Sequence, residues 1–552
     1  MRFILVLLLI LAPVTARAGV VSAADPRAAQ AGLEMLRAGG SATDAAIATM
    51  LALTVVEPQS SGIGGGGFLV HHDERTGTVS TIDGRETAPA SARPDRFLGP
   101  DGKPLPFTRA YPGGLSVGVP GNIRLAELAH RKHGKLRWSR LFQPAIRLAG
   151  QGFVVTPRLA ELLAGTTGRW AAFADARRIY WQDGRPKRAG ERVRNQALAR
   201  LLRDVARDGA RAFYTGKNGR AISRAVANAP VNKAVITAAD LSGYRALERP
   251  AACSRYRTYR LCGMGPPSSG ATTVFGIMGL LEPHDLKRLG PNSAQSWHLI
   301  GEAMRLTYAD RDLYLADRDF VGVPVAGLLS PDYLRDRARL ISPTRARGDY
   351  PAGTPPGAPR QAGQGRDMEA GTTHFVAVDR QGNVASWTST IEGIFGSQLI
   401  ANGYFLNNEL TDFSFAPERN GVPVANRVEA GKRPRSSMSP TIVYGADGKP
   451  VLAVGSAGGP RIIMHVLKTL VGVLDWGLPA AEAVALPNIF FGGQGLLVEQ
   501  GTPLAGKAPE LARLGHLVVA SDLGSKLNAA ERTPTGWRGV ADPRSEGVAL
   551  SQ

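Results

Sequence analysis

The chain has 552 residues, 43% of them hydrophobic and 20% charged, with a formal net charge of +20 and two cysteines. That balance excludes a disordered or fibrous chain and leaves enough apolar material for a large core or two fused lobes. Two cysteines rule out a disulfide scaffold and any multi-cysteine metal site. The arginines are dispersed with no basic-aromatic motif, which fits a solvated basic surface and no nucleic-acid partner.

In chain order, residues 1–18 read as a secretory signal: Arg2, an apolar run from Phe3 to Pro13, and the small-x-small site Ala16-Arg17-Ala18. The run is shorter than the ~20 residues of a membrane span, so the mature chain is expected to start at Gly19, in the periplasm or secreted, with no span after signal removal. Asp25-Pro26 caps a first helix that stops at Gly39-Gly40, and Ser41 with Asp44 starts an Ala-rich second one that ends before Pro58. Gly62 to Gly67 formally contains G-x-G-x-x-G, but a helix precedes it and strand-like Phe68-Leu69-Val70 follows. A pyrophosphate loop needs the opposite order, so this is a close-approach backbone turn.

Residues from about 120 to 340 are mostly helical by apolar spacing and supply scaffold. Within them Cys253 and Cys262 flank a hairpin turn that would set them opposite each other; the sequence leaves a bonded pair and two thiols equally open. From about 341 to 371 the composition turns to Pro, Gly, Arg and Gln without periodicity, as in a mobile, exposed tether. Alternation then returns: Thr373 to Asp379, a turn at 380–383, and Val384 to Ile391 form one hairpin, and Thr441 to Tyr444 with Val451 to Val454 form a second. Ile463, Leu467, Leu470 and Leu474 mark a helix. Strands and helices around such a junction describe a layered α/β (α+β) protein.

Chemistry concentrates where the tether meets the first strand, at Gly371-Thr372-Thr373-His374. If the bond between Gly371 and Thr372 is cut, Thr372 carries both a hydroxyl and a free α-amine. An α-amine has a pKa near ~7.7–8, so it can accept the hydroxyl proton without a histidine relay. Spacing alone favours an ordinary Thr-Thr strand start. His374 is turned to the opposite face from Thr373 and reads as structural. His71-His72-Asp73 lacks a third ligand at metal-like spacing, so no metal and no cofactor are expected.

The runs Thr372-Thr373-His374-Phe375, Thr388-Ser389-Thr390, Leu406 to Phe413, Arg433 to Pro440 and Gly455-Ser456-Ala457-Gly458-Gly459 resemble, in order and spacing, the small subunit of γ-glutamyltransferases. Glu57 to Gly67, Arg85-Glu86, Pro112 to Gly121, Pro266 to Gly270 and Tyr308 to Arg311 match the large subunit, so the resemblance spans the mature chain.

The resemblance implies a four-layer αββα sandwich of the N-terminal-nucleophile hydrolase type, with 19–371 as large subunit and 372–552 as small catalytic subunit of one precursor. It makes Thr372 the nucleophile and new N-terminus, with Thr390 as its hydrogen-bond partner and Gly458 and Gly459 as oxyanion donors. It casts Arg85, with Ser436 and Ser437, as holder of a γ-glutamyl α-carboxylate, and Glu409 and Asp412 as acceptors of the α-ammonium. Two departures stand out. Glu392 replaces a frequent asparagine and adds a negative charge at the substrate's α-group, and the segment from Phe413 to Arg435 is short and has no tyrosine to act as a lid.

The implied activity is transfer of a γ-glutamyl group, from amides such as glutathione, to water or to an amino acid or peptide acceptor. One alternative is a glutaryl- or cephalosporin-type acylase on the same nucleophile; another, of a different class, is a non-catalytic cationic binding protein.

Overall fold

The computed structural model describes residues 18–364, 371–492 and 495–552. The signal-like segment therefore lies outside the described residues except for Ala18, as do residues 365–370 of the proposed tether.

Strand β1 (Val20–Ala23) leads into helices α1 (Pro26–Arg37) and α2 (Ala42–Val56). Their starts follow from local chemistry: the Asp25 side chain accepts from the Arg27 N–H ahead of Pro26, and Ser41 and Asp44 form a reciprocal capping box. Helix α2 is buried along its whole length, which explains its Ala-rich composition, since only small side chains let neighbouring elements close around it. Next come β2 (Gly66–Asp73) and β3 (Thr78–Gly84), and after a helical stretch β4 (Leu247–Arg249), β5 (Ala252–Tyr256) and β6 (Tyr259–Gly263). Helices α3 (Gly270–Leu281) and α4 (Ala294–Tyr314) precede the two hairpins, β7 (Gly371–Val378) with β8 (Val384–Glu392) and β9 (Thr441–Tyr444) with β10 (Pro450–Gly455). Helix α5 (Arg461–Leu474), then β11 (Asn528–Thr533), β12 (Gly536–Ala541) and β13 (Val548–Ser551) complete the frame.

These strands build two sheets, each antiparallel throughout. One runs β13-β1-β7-β8-β2-β3-β4 and the other β12-β11-β10-β9-β6-β5. Val376, Val378, Val384, Phe68 and Val70 on one face of the first sheet pack with Ile442 and Ala453 of the second. The opposite face, with Phe375, Ala377, Ala385 and Trp387, packs on α1, α2 and the helices of residues 122–227. Helices α3, α4 and α5 cover the outside of the second sheet. The result is the four-layer αββα sandwich, and it explains why β7 and β8 are buried at every position: central strands covered on both faces carry no solvent-facing side chains.

Cys262 lies directly opposite Cys253 in the β5–β6 hairpin and the two are disulfide-bonded, which settles a choice the spacing left open. Among residues 341–364, the described part of the Pro/Gly-rich stretch, there is no helix or strand, yet this part is fastened to the rest of the fold. Ala346 N–H donates to Leu514 O, the Tyr350 hydroxyl to Glu302, Gly353 N–H to Asp310 and Gln364 N–H to Asp312 O. Irregular backbone without apolar periodicity can still be fixed when its polar groups find partners on a helix, here α4.

Candidate active site

Thr372 is the second residue of β7, buried between the two sheets and directly opposite Thr390 of β8. The Thr390 hydroxyl donates to the Gly371 carbonyl oxygen at 2.6 Å and accepts from the Glu392 N–H at 2.8 Å. Thr372 Oγ1 lies 2.7 Å from the same carbonyl oxygen and 3.2 Å from Thr390 Oγ1. Each hydroxyl has one proton. With Thr390 donating to the carbonyl and Thr372 donating to Thr390, a lone pair of Thr372 is left beside a polarised carbonyl group. A Cβ at Gly371 would come within 2.8 Å of the Glu392 and Gly393 carbonyls, so only glycine fits there.

Alternation puts His374 on the same side as Thr372, facing the second sheet. Its Nδ1 is 2.8 Å from Thr388 Oγ1, a Cβ on Gly455 would be 2.4 Å from its ring, and burial lowers its pKa to about 3. It is a neutral packing residue, in keeping with the structural reading.

After β10 the chain turns through Gly458 and Gly459, both with positive φ (124° and 61°). A side chain at Gly458 would be strained and would also stand 3.3 Å from His465, whose Nδ1 contacts Ser456 Oγ at 3.0 Å. The two glycines lead directly through Pro460 into α5.

Arg85, Glu392, Glu409 and Asp412 meet at a buried charge cluster. The Arg85 guanidinium donates to Glu409 and Asp412, and further to the carbonyls of Pro434 (3.1 Å) and Arg435 (3.0 Å). Its fork is thus already filled by the two acids assigned to a substrate ammonium. Glu392, at φ 72°, sits in a left-handed conformation uncommon for a non-glycine residue. One of its oxygens accepts from Asn408 and the other, buried, has no partner. Ser437 Oγ accepts from Arg311 at 2.7 Å, while Ser436 Oγ accepts from the Met438 N–H at 3.1 Å.

Burial pushes the Glu86 carboxyl up to about 7, and burial also holds Glu392 and Glu409 well above the usual carboxylate range, with the charge of Asp412 adding to both. Four acids therefore surround one arginine. Glu86, Asn408 and Arg311 were not among the residues singled out from the sequence, although each lies inside a run that carried the resemblance; their partners are distant in sequence, and no local pattern announces them.

The segment from Phe413 to Arg435 carries a small hairpin, Glu418–Arg419 with Val422–Pro423, and packs through Phe413 and Val428 against Ala88 and Phe97. Among the described residues no group of three or more His, Cys, Asp or Glu side chains is placed to hold a metal ion, and no helix is long and apolar enough to cross a membrane.

A four-layer αββα sandwich with its candidate nucleophile at the start of a central strand is the architecture of the N-terminal-nucleophile hydrolases. Within that class the family model for Gamma-glutamyltranspeptidase matches residues 28–551, nearly the whole chain. A "Glutathione hydrolase proenzyme" of Bacillus subtilis (strain 168) is 36% identical over 545 residues, covering 96% of this chain and 91% of the relative. An "Acylase ACY 1 proenzyme" of Pseudomonas sp. (strain V22) is 34% identical over 548 residues, covering 98% and 94%. The crystal structure of a cephalosporin acylase from Bacillus halodurans superposes with a TM-score of 0.85 at 26% identity, covering 97% of this chain and 96% of that one. The chain belongs to the gamma-glutamyltranspeptidase family and is an enzyme, which sets aside the reading as a non-catalytic cationic binder.

Proposed function

We propose that the protein is an exported, self-processing γ-glutamyltransferase/hydrolase whose nucleophile is Thr372. The observation that carries this reading is the pair of hydroxyls, Thr372 and Thr390, converging on the Gly371 carbonyl. Processing follows from that arrangement. Thr372 Oγ attacks the Gly371 carbonyl carbon, its proton passes to the departing Thr372 nitrogen as the peptide bond breaks, and water opens the resulting ester. Residues 19–371 and 372–552 become large and small subunits, and Thr372 gains a free α-amine.

In turnover that amine takes the hydroxyl proton as Oγ attacks the acyl carbonyl, then delivers it to the leaving amine. Water or an acceptor amine releases the acyl group from the Thr372 ester by the same steps in reverse. The N–H groups of Gly458 and Gly459 are assigned to the tetrahedral oxyanion, each donor contributing on the order of 10²–10³ in rate.

The charge cluster speaks to the acyl group. A zwitterionic γ-glutamyl head can exchange partners with it: its α-carboxylate takes Arg85, aided by Ser436 and Ser437, while its α-ammonium takes Glu409, Asp412 and the unpartnered Glu392 oxygen. Charge is conserved and every buried ion stays paired, which isolated burial would make costly to violate. A glutaryl head brings only a carboxylate and would leave Glu409 and Asp412 without a counter-ion. An uncharged acyl group leaves Arg85 with its present partners, and that filled fork favours an acylase as second reading.

The test is a denaturing gel of purified protein, with N-terminal sequencing of the smaller band, which should begin Thr-Thr-His-Phe. Thr372→Ala should remain one band and release no aniline from any acyl anilide. Turnover of γ-glutamyl, glutaryl and uncharged acyl anilides by the wild type then ranks the acyl groups. A Thr372→Ala protein that splits or turns over substrate would refute the assignment.

A further inference from the structure

One buried guanidinium beside the candidate site has no part in the chemistry above. Arg311, on α4, spreads its fork over two serines and an acid. Its Nε donates to Ser269 Oγ at 2.9 Å, one Nη to Ser437 Oγ at 2.7 Å and the other to Asp312 at 2.8 Å. Ser269 in turn fastens the neighbouring residue: its N–H and its hydroxyl both donate to the Ser436 carbonyl at 2.7 Å. Just upstream, Arg85 holds the carbonyls of Pro434 and Arg435. Two guanidinium groups, one after β3 and one from α4, thus fix four consecutive residues, 434–437.

The directions of these bonds assign the protons. A hydroxyl has one proton and two lone pairs. Ser437 Oγ takes the Arg311 N–H on a lone pair, and Ser436 Oγ takes the Met438 N–H on one. Neither hydroxyl donates to an atom among the described residues. Each buried serine therefore keeps a proton for a further acceptor. A cation donating into Ser437 polarises that hydroxyl, and an anion is the acceptor that gains most from it.

We propose that Arg311 is a positioning residue for carboxylate recognition: it fixes and polarises Ser437 as a donor, so that the site selects acyl groups carrying a carboxylate. This deepens the acyl-transfer reading and rests on it for the role of Ser437; Arg311 itself touches no reacting atom. It also gives a carboxylate a donor that does not depend on exchange at Arg85, whose fork Glu409 and Asp412 already fill.

The experiment uses processed enzyme and two pairs of 4-nitroanilides, each pair differing by one carboxylate: γ-glutamyl against 4-aminobutanoyl, and glutaryl against butanoyl. In Arg311→Gln, kcat/KM for the carboxylated member should fall about tenfold relative to its partner, the size expected of one hydrogen bond to a charged group. The loss should lie in KM, with the kcat ratio of the pair unchanged. Ser437→Ala should show at least the same relative loss, and the double variant no more than Ser437→Ala alone, because the guanidinium acts through that hydroxyl. Arg311→Lys keeps the charge beside Asp312 but cannot serve Ser269 and Ser437 together, and should lose about threefold. Each ratio is taken within one sample, so a smaller folded fraction cancels; should the glutamine variant fail to mature, the same ratio in the lysine variant decides. Equal losses on both members of a pair, additive losses in the double variant, or a wild type that accepts neither carboxylated anilide would overturn the proposal. A wild type that hydrolyses the glutaryl but not the γ-glutamyl anilide counts against the γ-glutamyl reading and leaves the second pair to test Arg311. Unchanged ratios in an enzyme that does prefer γ-glutamyl to 4-aminobutanoyl sink the role of Arg311 alone.

Discussion

Removing the Thr390 hydroxyl is the sharpest probe of the processing geometry. In Thr390→Ala the Gly371 carbonyl loses the donor at 2.6 Å and the Glu392 N–H loses its acceptor at 2.8 Å, while the Thr372 hydroxyl keeps its own contact with that carbonyl. The fold should lose about 1–3 kcal/mol, the cost of a buried polar group left unmatched. Scission should suffer more than stability does, because the donor acts where negative charge develops: loss of one such group slows the step about 10²–10³-fold, equivalent to about 3–4 kcal/mol of barrier. The assay is a time course on denaturing gels of freshly purified chain, with the intact band quantified against the two fragments. Thr390→Ser restores the hydroxyl and should mature within about tenfold of the wild type. Maturation of Thr390→Ala at the wild-type rate, or a serine variant no faster than the alanine one, would show that this hydroxyl does not activate the Gly371 carbonyl.

Two further outcomes follow from the same cluster and turn. Burial raises the Glu86 carboxyl above its unfolded value, so its stabilising effect is full below pH ~4.5 and is lost as pH climbs toward about 7. Across that window the wild type should lose on the order of 3 kcal/mol relative to Glu86→Gln, read as a steeper fall of Tm with pH; parallel Tm curves would contradict it. Gly458→Ala forces a Cβ into a positive-φ position 3.3 Å from His465. The backbone strain is about 1–3 kcal/mol, and displacement of the assigned oxyanion N–H groups should lower kcat about 10²-fold with KM little changed. A kcat within twofold of wild type would remove these glycines from the oxyanion role.

How far the molecule could be read from its residues depends on the range of the interactions. The β7–β8 and β9–β10 hairpins, α1, α2 and α5 were legible because alternation, caps and turn residues are local signals, and Thr372 fell at a recognisable boundary between them. The partners of Arg85 were legible as residue types within a resemblance but not as an ion cluster. Glu86, Glu392, Glu409 and Asp412 are brought together only when β3, the end of β8 and the turn at Glu409–Asp412 meet. The described part of the stretch after α4 is held by backbone and polar contacts, most of them to α4, which leave no periodic trace in the sequence.

The strand order has one more consequence. Strand β1, at the head of the chain, is inserted between β7 and β13, both of which lie beyond Thr372. A cut at Gly371 would therefore leave two polypeptides woven through a common sheet, and prising them apart would tear the ladders on both sides of β1. The proposed scission would then have to come after folding. Once made, it changes the number of chain ends but not the body they share, so equal amounts of the two fragments made separately are not expected to reconstitute the enzyme by docking alone.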